Sequence, residues 1–329
     1  MAVAIYLAFQ FSPWPSVLLI RFTPGGDGLE EARLIEKYVP SNIVSVLDEV
    51  YGPNSADERL DVFCPQGTSE RLPTIVWVHG GAFISGTKNA VRNYLKILAS
   101  HGYTVVNVEY SPAPEQQCPT PVKQLALALE YLNKNADRLH VDPQQYVLAG
   151  DSAGAQVVAQ AALAITNPDY ASSTGLPTPI KLGDLKGILV TGGPYDVRLV
   201  DFTDPSFSRF LNTVLWAYIG IRDFQLDPRF KQMAIPAFVT SDYPPSFITT
   251  GPYDPLLRHS EALAKALTEK GVKVDGLFFP KESTDQSVGH EYQFALDGKE
   301  ARTAMKRMIA FMRRYTHTPE SKRGVSDAW

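Results

Sequence analysis

Residues 148–155 read LAGDSAGA, a serine with a glycine two positions away on either side. Before it runs YVLA, an apolar strand-like stretch, and after it AQVVAQAALAI, which is helix-like. A strand that ends on Gly-x-Ser-x-Gly and passes directly into a helix holds the serine in a sharp turn, with its hydroxyl exposed above the sheet. The flanking glycines let neighbouring chain pass close to that turn. The pattern alone recurs by chance; the strand and helix on its two sides give it weight. Ser152 is therefore the candidate nucleophile, and the chain must supply a base and an acid to serve it.

Working outward, the same strand-then-helix rhythm continues in both directions. TIVWVHG (74–80), TVVNVEY (104–110), GILVTG (187–192), SFITTG (246–251) and VDGLFFP (274–280) are short β-rich runs, each closing on a turn. Between them, AVRNYLKILASHG (90–102), VKQLALALEYLNKN (122–135) and SEALAKALTEKG (260–271) space apolar residues three and four apart. Strands alternating with helices predict a mostly parallel central sheet covered on both faces. Two stretches interrupt the rhythm: residues 1–45, and an aromatic-rich insertion over 195–240. Long insertions in compact α/β domains serve as lids or binding surfaces, so both are expected to be cap elements on a single domain spanning 1–329.

Composition narrows the function. The chain has 329 residues, 44% hydrophobic and 20% charged, as in ordinary globular proteins. A formal charge of -4 over this length makes no field for a polyanion, so no nucleic-acid partner is expected. Cys64 and Cys118 form no C-x-x-C, which argues against a zinc site or a disulfide scaffold and fits a cytoplasmic protein. Residues 1–20 carry no charge, which raises membrane association or export as the alternative location. Pro13 and Pro15 would break a helix there, and no positive n-region opens the segment, so no stable span is expected. The expected role is an apolar flap, with Tyr6, Phe9 and Phe11 folding over the site.

A second motif, His79-Gly80-Gly81-Ala82-Phe83, follows the strand TIVWV. A small-residue loop in that place can turn backbone N–H groups towards a developing oxyanion. Gly80, Gly81 and Ala82, with Ala153 at the start of the helix after the serine, are the candidate donors.

With these residues in view, the chain resembles the hormone-sensitive-lipase-like serine esterases of the α/β-hydrolase fold. The matching residues are His79–Phe83, Tyr110–Glu115, Gly150–Gly154, Asp254-Pro255-Leu256 and Gly289-His290, in the family's order. They span about two-thirds of the chain. Two departures stand out. Ala82 takes the last place of the family's His-Gly-Gly-Gly box, which narrows one side of the site. The family's Tyr-Arg-Leu-Ala-Pro-Glu box reads Tyr110-Ser111-Pro112-Ala113-Pro114-Glu115, leaving the role of its arginine unfilled. The resemblance also implies a homodimer as the common assembly.

In this fold the order along the chain is serine, acid, histidine. His79, His101 and His140 precede Ser152 and are out of order. His79 belongs to the loop, where a structural hydrogen bond is its expected job. His259 opens a helix, and His317 lies in a polar tail. His290, in the polar loop KESTDQSVGHEYQF after VDGLFFP, is the candidate base. GPYD occurs twice, at 193–196 and 251–254, so Asp196 and Asp254 compete as the acid. Asp254 is favoured: it follows the strand just before the histidine's strand, and Asp-Pro-Leu resembles the family's motif. Asp196 is expected to fix the start of the cap.

Phe83 and Asp151, beside the two motifs, are candidate substrate contacts. So are Phe207, Phe210, Leu211, Val214 and Leu215, which recur at helical spacing in the insertion and would equally suit an ordinary buried helix. The expected activity is hydrolysis of small to medium uncharged esters through an acyl-enzyme, with no metal or cofactor. An amide hydrolase, such as a formamidase or aminopeptidase, shares that chemistry. A non-catalytic ligand-binding relative is the alternative outside enzymes.

Overall fold

The computed structural model describes residues 2–23, 28–53, 56–203 and 205–317. Eight strands form one sheet: β1 (Ile43–Val50), β2 (Arg59–Pro65), β3 (Leu72–Val78), β4 (Thr104–Val108), β5 (Val141–Asp151), β6 (Leu185–Thr191), β7 (Ser246–Thr250) and β8 (Val274–Phe278). Their order is β1-β2-β4-β3-β5-β6-β7-β8. From β4 to β8 every pairing is parallel, while β1 and β2 join antiparallel at one edge. This is the α/β-hydrolase fold, and β5, which carries the serine, lies between β3 and β6.

The helices are α1 (Ala2–Phe11), α2 (Trp14–Arg21), α3 (Leu29–Leu34), α4 (Lys88–Ala99), α5 (Thr120–Lys134), α6 (Ser152–Thr166), α7 (Pro168–Thr174), α8 (Pro205–Ile219), α9 (Pro228–Gln232), α10 (Leu257–Glu269) and α11 (Lys299–Tyr315). The inner strands are apolar throughout because both faces are covered. Along β3, Val76 and Val78 join the core under α5, α6, α8 and α10, whereas Ile75 and Trp77 join the core under α4 and α11. Successive side chains of a strand point to opposite faces, so one run feeds both cores.

The two antiparallel strands were not among the predicted runs. β1 exposes most of its side chains, and β2 buries Asp61 against Lys88 at 2.5 Å and Arg92 at 2.9 Å. A charge buried in such pairs reads from sequence as surface.

Pro13 breaks the N-terminal segment as expected, with α1 ending at Phe11 and α2 starting at Trp14. Among the described residues no helix is long and apolar enough to cross a membrane. The segment is tied down through Arg21. Its guanidinium donates to both Glu115 oxygens at 2.6 Å, to the Ala113 carbonyl at 2.8 Å and to the Ile84 carbonyl at 2.5 Å. Glu115 closes the box whose second position lacks arginine, so here a basic group arrives from the N-terminal segment.

Charge-assisted hydrogen bonds of this kind are worth about 1.5–3 kcal/mol. Arg21→Ala should therefore make limited proteolysis of the N-terminal segment about tenfold faster or more, since cleavage tracks the open population. Equal cleavage rates for variant and wild type would contradict this anchoring.

Candidate active site

At the end of β5 the backbone turns sharply into α6, and Ser152 takes φ +48°, a left-handed conformation that costs a non-glycine residue energy. Packing holds it there. A Cβ on Gly154 would lie 2.0 Å from the Val78 carbonyl oxygen and 2.4 Å from that of His79, so only glycine lets α6 sit this close to β3. The Ser152 hydroxyl faces His290, with Oγ 3.0 Å from Nε2.

His290 is placed by the loop after β8. Its Nδ1 lies 2.8 Å from Asp254 Oδ2. Asp254 is buried, and its carboxylate also accepts from the Thr250 hydroxyl and, at 2.7 Å, from the Leu256 backbone N–H. These donors fix the carboxylate's orientation towards the histidine. Burial disfavours a charged imidazole, but the Asp254 bond and the nearby carboxylates of Glu291 and Asp151 outweigh it and push His290 up to about 9.

Asp196 sits elsewhere. Arg198 donates to both its carboxylate oxygens, at 2.7 and 2.6 Å, and the Arg198 N–H adds a third bond as the chain enters the insertion. The Asp196 backbone N–H donates to Nδ1 of His259, 3.3 Å away. Of the two GPYD copies, the structure brings only Asp254 to His290.

The loop after β3 has three successive residues at positive φ: Gly81 at +120°, Ala82 at +52° and Phe83 at +62°. Gly81 is obligatory, since a Cβ would meet the Ser85 carbonyl at 2.1 Å. His79 braces the loop, contacting Glu109 at 2.6 Å through Nε2 and the Gly80 carbonyl at 2.7 Å through Nδ1. Among the described residues the Gly81 and Ala82 N–H groups have no acceptor. Gly80 differs from expectation: its N–H donates to Asp151 Oδ2 at 2.7 Å and is unavailable to an oxyanion.

A cavity of about 860 Å³ opens at Ser152. Phe83 from the loop and Phe207, Phe210, Leu211, Val214 and Leu215 from α8 all line it, together with Ile20 from α2. Tyr6, Phe9 and Phe11 are not among its lining residues, and Tyr6 and Phe11 are 64% and 79% exposed. The α2 helix reaches the cavity through Ile20, one residue before the Arg21 anchor. Asp151 is also off this cavity. It is buried behind Gly80, receives the Trp77 indole N–H at 2.6 Å, and faces a second cavity of about 450 Å³.

Glu291 went unremarked in sequence and lies where the two cavities meet. Its carboxyl hydrogen-bonds that of Asp151 and sits 3.7 Å from His290 Nε2. Burial and the facing Asp151 carboxylate push Glu291 up to about 8. Its one sequence signal is adjacency to the histidine, and a loop glutamate is ordinarily solvated.

A serine at a strained strand-to-helix turn, joined through a histidine to a buried aspartate, is the arrangement of a hydrolase built on this fold. A family model described as alpha/beta hydrolase fold matches residues 75–284, and the chain belongs to that family, which contains the hormone-sensitive-lipase-like esterases. Solved structures agree on the fold. Esterase B from Lactobacillus rhamnosis, carrying a C6-C4 SN3 inhibitor, superposes with TM-score 0.74 at 18% identity, covering 87% of this chain and 93% of that one. The hyperthermophilic esterase from Pyrobaculum calidifontis gives 0.70 at 23% identity, covering 91% and 93%. A thermostable carboxylesterase cloned from a metagenomic library gives 0.68 at 21%, covering 94% and 99%.

His259 carries a stability prediction. Burial pushes it down to about 4, from 6.5 in the unfolded chain, against the pull of the Asp196 and Asp254 carboxylates, and the neutral ring accepts the Asp196 N–H at Nδ1. Its contribution is full above pH 6.5 and is lost as pH falls towards about 4. The loss amounts to about 3 kcal/mol at most. His259→Asn keeps an acceptor without a titration, so urea unfolding of the variant should show a shallower stability loss across that window. Parallel pH–stability curves would contradict the assignment.

Proposed function

We propose that the chain is a serine carboxylesterase acting on small to medium uncharged esters. The observation that carries the reading is the continuous chain from Ser152 through His290 to Asp254, at 3.0 and 2.8 Å, opening into the apolar cavity. Neutral His290 takes the Ser152 proton at Nε2 as Oγ bonds to the ester carbonyl carbon. The carbonyl electrons move onto oxygen, where the N–H groups of Gly81, Ala82 and Ala153 receive the charge. The ester C–O bond then breaks, the alkoxide leaves with the proton from His290, and an acyl group remains on Ser152. Water, deprotonated by the same histidine, repeats the cycle and frees the acid. Asp254 holds the Nδ1–H tautomer and stabilises the imidazolium.

The cavity walls favour an apolar substrate. Phe83, Phe207, Phe210, Leu211, Val214 and Leu215 surround the acyl path, and the N-terminal segment with the 195–240 insertion forms the cap. The support for an ester lies in this largely apolar wall beside the serine, where Phe83 and the α8 side chains outnumber the charged lining residues Asp201, Arg258 and Glu291.

Hydrolysis of p-nitrophenyl acetate through octanoate tests the reading. Ser152→Ala and His290→Ala should lower kcat/KM by about 10⁴–10⁶, and Asp254→Asn by about 10³–10⁴. Asp196→Asn should stay within about tenfold, because its carboxylate serves Arg198 instead. Butyrate to octanoate should be turned over at least as well as acetate. A wild type inert towards every ester but active on the matching anilides would replace this reading with an amidase.

A further inference from the structure

Two acidic side chains from distant parts of the chain converge on Gly80. A Cβ built on that glycine would lie 2.5 Å from Asp151 Oδ2 and 2.7 Å from Glu291 Oε1. Glu291 is held there by its backbone, at φ +56° and ψ +28°, an uncommon conformation for a side chain of its size. Two carboxylates that hydrogen-bond each other require a shared proton. Asp151 already receives the Trp77 and Gly80 N–H groups, which stabilise its anion, so the proton resides on Glu291.

We propose that Glu291 is a positioning residue for the His290 base: its carboxyl, clasped to Asp151 across Gly80 and 3.7 Å from His290 Nε2, sets the pH at which that base becomes available. The proposal rests on the reading of Ser152 and His290 as nucleophile and base. When the shared proton leaves, a second negative charge appears beside Nε2 and stabilises the imidazolium. His290 and Glu291 then lose their protons in overlapping steps that belong to the pair. Neutral His290 is consequently delayed into the alkaline range.

The other groups around Glu291 leave it the titrating neighbour on the serine side. Asp254 holds the opposite nitrogen of His290. His79 is paired with Glu109 behind the loop, and its stacked neighbour Tyr110 is pushed up by burial and stays neutral. Asp297, on the wall of the smaller cavity, is taken by Lys37 and Tyr38.

Glu291→Gln keeps a donor for Asp151 and removes the second charge. Glu291→Asn does the same with a side chain that tolerates the left-handed backbone, should the longer amide disturb folding. The wild-type ascending limb of kcat/KM against pH should extend to about 9. In either variant it should become a single ionisation with its midpoint lower by about one unit, a tenfold change in proton affinity. NMR titration of ring-labelled histidine, with His290 assigned by His290→Ala, should show the same fall without any substrate. An unmoved His290 midpoint in both folded variants would overturn the proposal, even if their turnover were reduced. A wild type inert towards esters would sink the esterase reading, while the NMR comparison alone would still decide the role of Glu291.

Discussion

Where β3 and β5 run side by side, the carbonyl oxygens of Val78 and His79 come within 2.0 and 2.4 Å of the place a Cβ on Gly154 would occupy. That approach allows α6 to begin against β3 and leaves Ser152 no room for an ordinary strand-to-helix transition. The left-handed backbone at Ser152 is the geometric outcome, and its cost is carried by two cores that bury both faces of the sheet. The same contact places the first amides of α6 opposite the loop that leaves β3. The proposed nucleophile and the proposed oxyanion donors thus share one close packing.

Electrostatics then divides the acidic groups near the serine into different tasks. Asp254 accepts from Thr250 and Leu256 and lies 2.8 Å from His290 Nδ1. Asp151 is equally buried but faces a second carboxyl, and burial pushes both up. Asp196, with the same local sequence as Asp254, is neutralised by Arg198 and anchors the insertion. The environment assigns the chemistry, since the residue type is nearly constant.

Much of this fold is legible in the sequence. The inner strands announce themselves because burial on both faces demands uninterrupted Val, Ile and Leu, and the break at Pro13 follows from its missing N–H. Order and context single out Ser152, His290 and Asp254, and the structure sets them in series at 3.0 and 2.8 Å. What stayed hidden depends on contacts between distant residues. The antiparallel edge was missed because Asp61 looks solvated until Lys88 and Arg92 close on it. The expected fold of Tyr6, Phe9 and Phe11 over the site differs from the structure, where Ile20 reaches the cavity instead. Gly80 looked like an oxyanion donor because nothing local reveals that Asp151 takes its N–H. Glu291 gains meaning only from a partner at the end of another strand.

On the proposed reading, the turn at Ser152 presents an activated nucleophile. Labelling with a fluorophosphonate, followed by intact-mass and peptide analysis, measures this independently of any ester. One adduct per chain, located on Ser152, absent in Ser152→Ala and strongly slowed in His290→Ala, is expected. An adduct on another residue, or none on folded protein, would contradict it.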